Sequence, residues 1–306
     1  MARTPLLSRH QPGGAFMITD PGYTPGDVYF VHSGTGTDGA GYGRNPDAPT
    51  ATLDYAVGLC TASKGDVIYV MPGHAENLTA ATSVNLDVIG VTVIGLGRGN
   101  LIPTFSTTAA AGSITVATTN ITLKNIKMLA NFATGTTAGI TIAAAGDGCI
   151  LDGIVFRDTS AANEFLIHVS VATTVTDLVI RNCSMVTAAG SLTNSILFAG
   201  TSTDCVIEDN FIHVTSSDDV IDHLAGASVN LVVRRNVVIN ADTAVAGYCL
   251  RYKSDGTGVA HDNRFAYNKV DAEISTGGAA WWLRNFASNT IAESDLLDPT
   301  TAHAIP

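Results

Sequence analysis

The chain is short of charge. Lys, Arg, Asp and Glu make up 14% of its 306 residues, where a globular protein averages about 25%. Its surface must be built from Thr, Ser, Asn, Ala and Gly, a habit that suits flat stacked strands better than exposed helices. Basic residues are the scarcer sign: 16 Lys and Arg stand against 27 Asp and Glu, for a net charge of −11. Nonspecific binding to nucleic acid or to an anionic membrane needs a basic surface and is therefore excluded. A local basic arm remains, since Arg3, Arg9 and His10 have no acid among them. The five cysteines (Cys60, Cys149, Cys183, Cys205, Cys249) are far apart and form no C-x-x-C pair. That argues against a zinc site and for buried free thiols, which fit a reducing place of synthesis. No apolar run reaches the ~18 residues of a membrane span. The opening MARTPLLSRHQPGGAF lacks the apolar segment of a secretory signal, so the N-L-T sequon at 77–79 is expected to stay unmodified.

What is present is a repeat. A β-rich run, one or two polar residues, then Asn or Gly recurs as ITLKNIKM (121–128), CILDGIVF (149–156), LVIRNCSM (178–185), VIEDNFI (206–212), LVVRRNVVI (231–239) and VAHDNRFAYN (259–268). VTVIGLGRG (91–99) and NFASNTIAE (285–293) are weaker copies. The anchors are Gly97, Asn125, Gly153, Asn182, Asn210, Asn236, Asn263 and Asn289, spaced 28, 28, 29, 28, 26, 27 and 26 residues apart. DVIYVMPG (66–73) adds a coil, with Tyr69 in the anchor place. Asn and Gly tolerate the left-handed backbone of a tight corner, and stacked Asn side chains can bond to one another. The early copies place one polar residue before the anchor and the later copies two, which predicts a corner that changes shape by a bulge midway. SITVAT, GITIAA, FLIHVSV, SILFAG, VIDHLAG and YCLRYKS alternate like further strands. A period of about 27 residues with two or three strands per turn reads as an all-β solenoid, a right-handed parallel β-helix of about nine coils from Asp66 onward and roughly 43 Å long.

The ends need covers, because an open coil exposes unpaired strand edges. Residues 50–63 read as a short capping helix, with Leu53, Ala56, Val57 and Cys60 on one face and Thr50 or Thr52 as N-cap. The organisation is an extended arm at 1–25, a strand, loop and capping helix at 26–65, and the β-helix at 66–306 with an aromatic-rich end.

The stretch YFVHSGTGTDGAGYGRNPDAPTATLDYAV, followed by GDVIYVMPGH (29–74), resembles the opening of pectate-lyase-like β-helix proteins. The resemblance implies that fold. It leaves the activity open, because the superfamily holds lyases, glycosidases, phage tailspikes and noncatalytic virion proteins. Glycosidase chemistry needs paired carboxylates, and the best constellation is Asp218, Asp219, Asp222 and His223 in SSDDVIDH. It faintly resembles the Asp-Asp motif of polygalacturonase-like enzymes, whose other motifs are absent. Alternation puts Asp218, Val220 and Asp222 on one face and Asp219, Ile221 and His223 on the other. A lyase would need Ca²⁺ held by carboxylates beside a basic residue. Asp152, Arg181, Glu208, Arg234 and Arg235 occupy neighbouring corners, but they read better as an alternating ion-pair ladder. Trp281 and Trp282, with Tyr252, form the candidate glycan-binding or subunit-contact group, and only one of the two tryptophans can point outward.

The expectation is thus a noncatalytic structural virion protein of a tailed phage, either a capsid decoration protein or a tail or fibre component. It would be made in the host cytoplasm and assemble through its N-terminal arm. Resemblance adds a homotrimer contacting other virion proteins such as the major capsid protein, with no cofactor. The alternatives are a polysaccharide lyase or glycosidase, and a glycan-binding adhesin meeting a surface glycan.

Overall fold

A computed structural model describes residues 26–143, 146–187, 192–223, 225–241, 248–252, 256–267, 279–289 and 295–296. The arm at 1–25 lies outside them. The strands form three long faces of a parallel solenoid. The first face begins at Val67–Val70 and runs through Thr92–Gly95, Thr122–Lys124, Ile150–Asp152, Val179–Arg181, Val206–Glu208, Leu231–Arg234 and Thr257–His261 to Ala279–Leu283. The second face runs from Ala75–Leu78 to Phe286–Asn289, where Asp295–Leu296 closes it antiparallel. The third runs from Val84–Leu86 to Leu250–Tyr252 in seven strands.

Seven turns therefore carry all three faces among the described residues, against the nine coils that the anchors imply. The first and second faces continue through two further strands without a described third strand. The six alternating runs read as strands are the six strands of the third face beyond Val84–Leu86, in unbroken register from Ile114 to Leu250.

Side chains alternate in and out of the tube, so like positions stack coil on coil at about 4.8 Å. One core column reads Ile68, Val93, Leu123, Leu151, Ile180, Ile207, Val233, Ala260, and another Phe105, Met128, Phe156, Met185, Ile212, Val238, Phe265, all buried. Four of the five free cysteines are buried in this core and Cys60 is half-buried. Desolvation pushes the Cys149 and Cys205 thiols up to about 11 and those of Cys60, Cys183 and Cys249 to about 12, so all stay protonated and unreactive at neutral pH.

The N-terminal plug is a seven-residue helix, Leu53–Leu59, capped by Thr52, whose hydroxyl accepts from the Tyr55 N–H. Leu53, Ala56 and Val57 are buried against the first coil. Glu76 closes the helix start by accepting the Leu53 N–H at 3.0 Å and is itself paired with buried His74 at 3.1 Å. Val28–Val31 then pairs in parallel on Val67–Val70 and covers the edge of the first face.

The corner between the first and second faces keeps one shape throughout. A left-handed residue stands in every turn: Gly97, Asn125, Gly153, Asn182, Asp209, Arg235, Asp262 and Arg284, the non-glycines at φ 51–56°. The midway bulge is thus not found. What changes is the residue carried: Asn holds the left-handed place at 125 and 182, whereas Asn210, Asn236 and Asn263 lie one residue later and point into the core. Two anchors need correction for the same reason. Asn289 pairs with Tyr267 inside a strand, and the last core asparagine is Asn285. Tyr69 pairs with Ile94 in a strand, and the left-handed residue of that coil is Gly73.

A second left-handed corner returns the chain from the third face to the first, at Gly90, Asn120, Gly148, Asp177, Asp204 and Asn230. Its mixed residue types hid it in the sequence.

Candidate functional site

The predicted acidic constellation lies where the third face nears its C-terminal end. Asp218 is exposed and precedes the strand Ile221–His223. Asp219 is 1% exposed. One of its carboxylate oxygens accepts the Tyr248 N–H at 2.8 Å and the other pairs with the Arg251 guanidinium at 3.0 Å. Burial raises its pKa, against the pull of the Tyr248 N–H and Arg251. For Arg251 burial works the other way, yet the Asp219 contact prevails and its pKa is raised. The geometry, with both carboxylate oxygens bonded, is that of an ionised Asp219 locked in place. Arg251 also lies over the Tyr248 ring, 5.3 Å from its centroid.

Alternation holds for Asp219, Ile221 and His223, all buried, and for Asp218 and Asp222 on the outer side. Val220 breaks it, being fully buried ahead of the strand. Asp222 faces outward between Leu197 and Arg251, its register partners on the neighbouring coils. His223 is 0% exposed and stacked on Phe198 at 4.6 Å. Its Nδ1 donates to the Gly226 carbonyl at 2.9 Å, so its Nε2 is the acceptor for the Ser202 hydroxyl at 2.7 Å. Desolvation lowers its pKa. His223 is therefore a neutral core residue with both nitrogens used, which removes it as an acid or base for a substrate outside the tube.

Arg251 and Tyr248 were missed because they lie 29–32 residues from Asp219 in the chain. That separation is one coil, so adding the repeat period to Asp219 would have found them.

The charged corner residues form the expected ladder. Lys124, Asp152, Arg181, Glu208, Arg234 and His261 are register partners in that order on the outside of the first face. Asp152 pairs with Arg181 at 3.0 Å and Lys124 at 3.8 Å, and Glu208 with Arg234 at 2.7 Å and Arg235 at 2.9 Å. These carboxylates are spent on their neighbours. Among the described residues, no three His, Cys, Asp or Glu side chains converge as metal ligands. No helix among them is long and apolar enough to cross a membrane.

Trp281 and Trp282 lie in the strand Ala279–Leu283, in register with Val259 and Ala260, and Tyr252 pairs with His223. Their side chains lie outside the described residues.

No protein-family model matches the chain, and no curated protein matches it. Solved structures do. The pectin methylesterase from Aspergillus niger, in a penultimately deglycosylated form, is similar at a TM-score of 0.50 and 13% identity, over 93% of this chain and 94% of that one. A rhamnogalacturonan lyase is similar at a TM-score of 0.45 and 13% identity, over 90% of each chain. The GH136 lacto-N-biosidase from Eubacterium ramulus gives a TM-score of 0.35 and 10% identity, over 86% of this chain and 67% of that one. At this identity the likeness concerns the backbone alone: the chain is a parallel β-helix.

Proposed function

We propose that this β-helix is a noncatalytic structural protein that works by assembly, as a capsid decoration or tail component of a tailed phage does. Its partners would be further copies of itself and other virion proteins such as the major capsid protein. One observation carries the reading: the groups that looked most like a catalytic set are consumed inside the protein. Asp219 gives both oxygens to Tyr248 and Arg251, and His223 gives both nitrogens to Gly226 and Ser202. A general acid or base must reach the proton it moves, and neither group faces solvent.

The test is incubation with a panel of neutral and acidic polysaccharides, with and without Ca²⁺, followed by assays for reducing ends and unsaturated products. No release is expected. Release that Asp219→Asn abolishes would overturn the reading.

A second reading, action on a polysaccharide, has two supports. The fold is shared with a pectin methylesterase, and Asp218 and Asp222 lie on the outer side, Asp222 in register with Arg251 of the next coil. The same panel decides it, since activity would then depend on Asp222 or Arg251.

A further inference from the structure

The N-terminal cover hangs on one buried ring. His74 stands at the corner between the first and second faces of the first coil, and its side chain is 0% exposed. It leans on Phe105 of the next coil, the ring centroids 5.2 Å apart. Its Nδ1 accepts the Ser33 N–H at 3.1 Å, which leaves the proton of the neutral ring on Nε2. Nε2 donates to Glu76 Oε2 at 3.1 Å, and the same oxygen accepts the Leu53 N–H of the plug helix at 3.0 Å. One imidazole thus links the loop after Val28–Val31, the first coil and the helix. Ser33 is tied a second time, its hydroxyl accepting at 2.9 Å the N–H of Ala75, on the edge strand of the second face.

The charges around the ring are few. The covering strand carries Tyr29, whose hydroxyl donates to the Leu59 carbonyl. The loop after it carries His32, whose Nδ1 meets Thr35 Oγ1, and Asp38, whose oxygens accept from Ala51 and Thr52. The helix carries Tyr55 and Asp54, and Asp54 accepts the Asn85 N–H. The strand Thr104–Thr107, which supplies Phe105, has no titratable group. Glu76 is the charge that touches His74.

A second proton on the ring can go only to Nδ1, where the Ser33 N–H already points. Two N–H groups would then face each other. The Nε2 contact with Glu76 becomes charge-assisted and holds, so the break falls on the Ser33 side. The proton binds better once Ser33 has left, so falling pH favours the open arrangement. Imidazole is the side chain whose ordinary titration lies between about pH 5 and 8.

We propose that His74 is an acid-released latch: protonation of its Nδ1 expels the Ser33 N–H, frees residues 33–37 from the first coil and bares the strand edge Ala75–Leu78. The latch goes beyond the assembly reading and does not depend on it.

The experiment is amide hydrogen exchange read by mass spectrometry on the full chain across pH 7.5 to 4.5, corrected for the intrinsic pH dependence of exchange. It compares the wild type with His74→Asn and Glu76→Gln, and thermal melts check that each is folded. Asparagine keeps an acceptor near the Nδ1 place and cannot take the proton. Glutamine keeps the accepting oxygen and removes the charge that favours imidazolium. In the wild type, residues 33–37 are expected to lose protection about tenfold as pH falls, the equivalent of one hydrogen bond. His74→Asn should show no such loss in that segment, and Glu76→Gln should show it at lower pH. A wild-type segment that stays protected overturns the latch, as does an equal loss in His74→Asn. If His74→Asn does not fold, Glu76→Gln decides, and a transition at the wild-type pH overturns it.

Discussion

His168 makes acid stability a test of the core. It points inward from the strand Ile167–Val171, is 0% exposed, and lies 5.0 Å from the Phe156 ring and 5.6 Å from Phe165. Its Nδ1 meets Ser195 Oγ at 3.2 Å, and its Nε2 has no hydrogen-bond partner among the described residues. An imidazolium there would bury an unmatched N–H. Burial first, and the nearby Arg157 second, push the pKa from 6.5 down to about 3. The sign follows from linkage. Between those two values the unfolded chain takes up a proton that the folded chain refuses. Stability is therefore full above pH 6.5 and is lost as pH falls toward 3. Each unit of pKa difference is worth about 1.4 kcal/mol, so moving from pH 7 to pH 5 costs about 2 kcal/mol through this residue alone. His168→Leu removes the proton-binding group. Urea unfolding at the two pH values is expected to show the variant losing about 2 kcal/mol less than the wild type, whatever its offset at pH 7. Parallel losses in the two proteins would refute the argument, because they would mean that His168 protonates in the folded state as easily as in the unfolded one.

Two further expectations concern the stacking. Asn236 Oδ1 accepts from the Asn210 backbone and side chain at 3.0 and 2.9 Å, and its Nδ2 donates to the Ile207 carbonyl and Asn263 at 2.9 and 3.0 Å. Asn236→Ala leaves several buried groups unmatched and should cost about 3 kcal/mol or more in a urea melt. At Gly95 an added Cβ would lie 2.0 Å from the Asn125 carbonyl oxygen of the next coil, whereas at Gly58 it would meet nothing within 4 Å. Gly95→Ala is expected to lower the melting temperature sharply, and Gly58→Ala, inside the capping helix, to raise stability by about 0.5–1 kcal/mol.

The solenoid was legible because its determinants recur. One period of about 27 residues imposes the same inward and outward choice on every coil, so the strand runs and the ion-pair ladder could be placed before any coordinates. The capping helix was legible from Thr52 and its apolar face, although it is shorter than the pattern at 50–63. The candidate site was harder to read. Asp219 and Arg251 meet because they lie one coil apart, and neither belongs to the repeated phrase. The return corner was missed because Gly, Asn and Asp share its left-handed place, so no single letter recurs there. Asn289 was taken for Asn285 because the last interval shortens to 22 residues, while the anchor rule assumed a steady step.

The shift of asparagine into the core has a consequence for register. The inward position after the first corner holds Ile126, Ile154 and Cys183 in the earlier coils and Asn210, Asn236, Asn263 and Asn285 in the later ones. Each of these asparagines donates to a carbonyl of the coil before it, and each but Asn285 also donates to the asparagine after it. The Cys183 N–H supplies the matching donor at the start of the stack. An apolar column tolerates a strand that slips, because one aliphatic side chain replaces another at small cost. The asparagine column does not. A slip of one residue would turn Arg235 or Asp262 inward and strand the amides, leaving a buried charge and several unmatched hydrogen-bonding groups. The later coils, which lie far from the helical plug, are thus held in register by a buried polar stack, while the earlier coils have that plug to fix them.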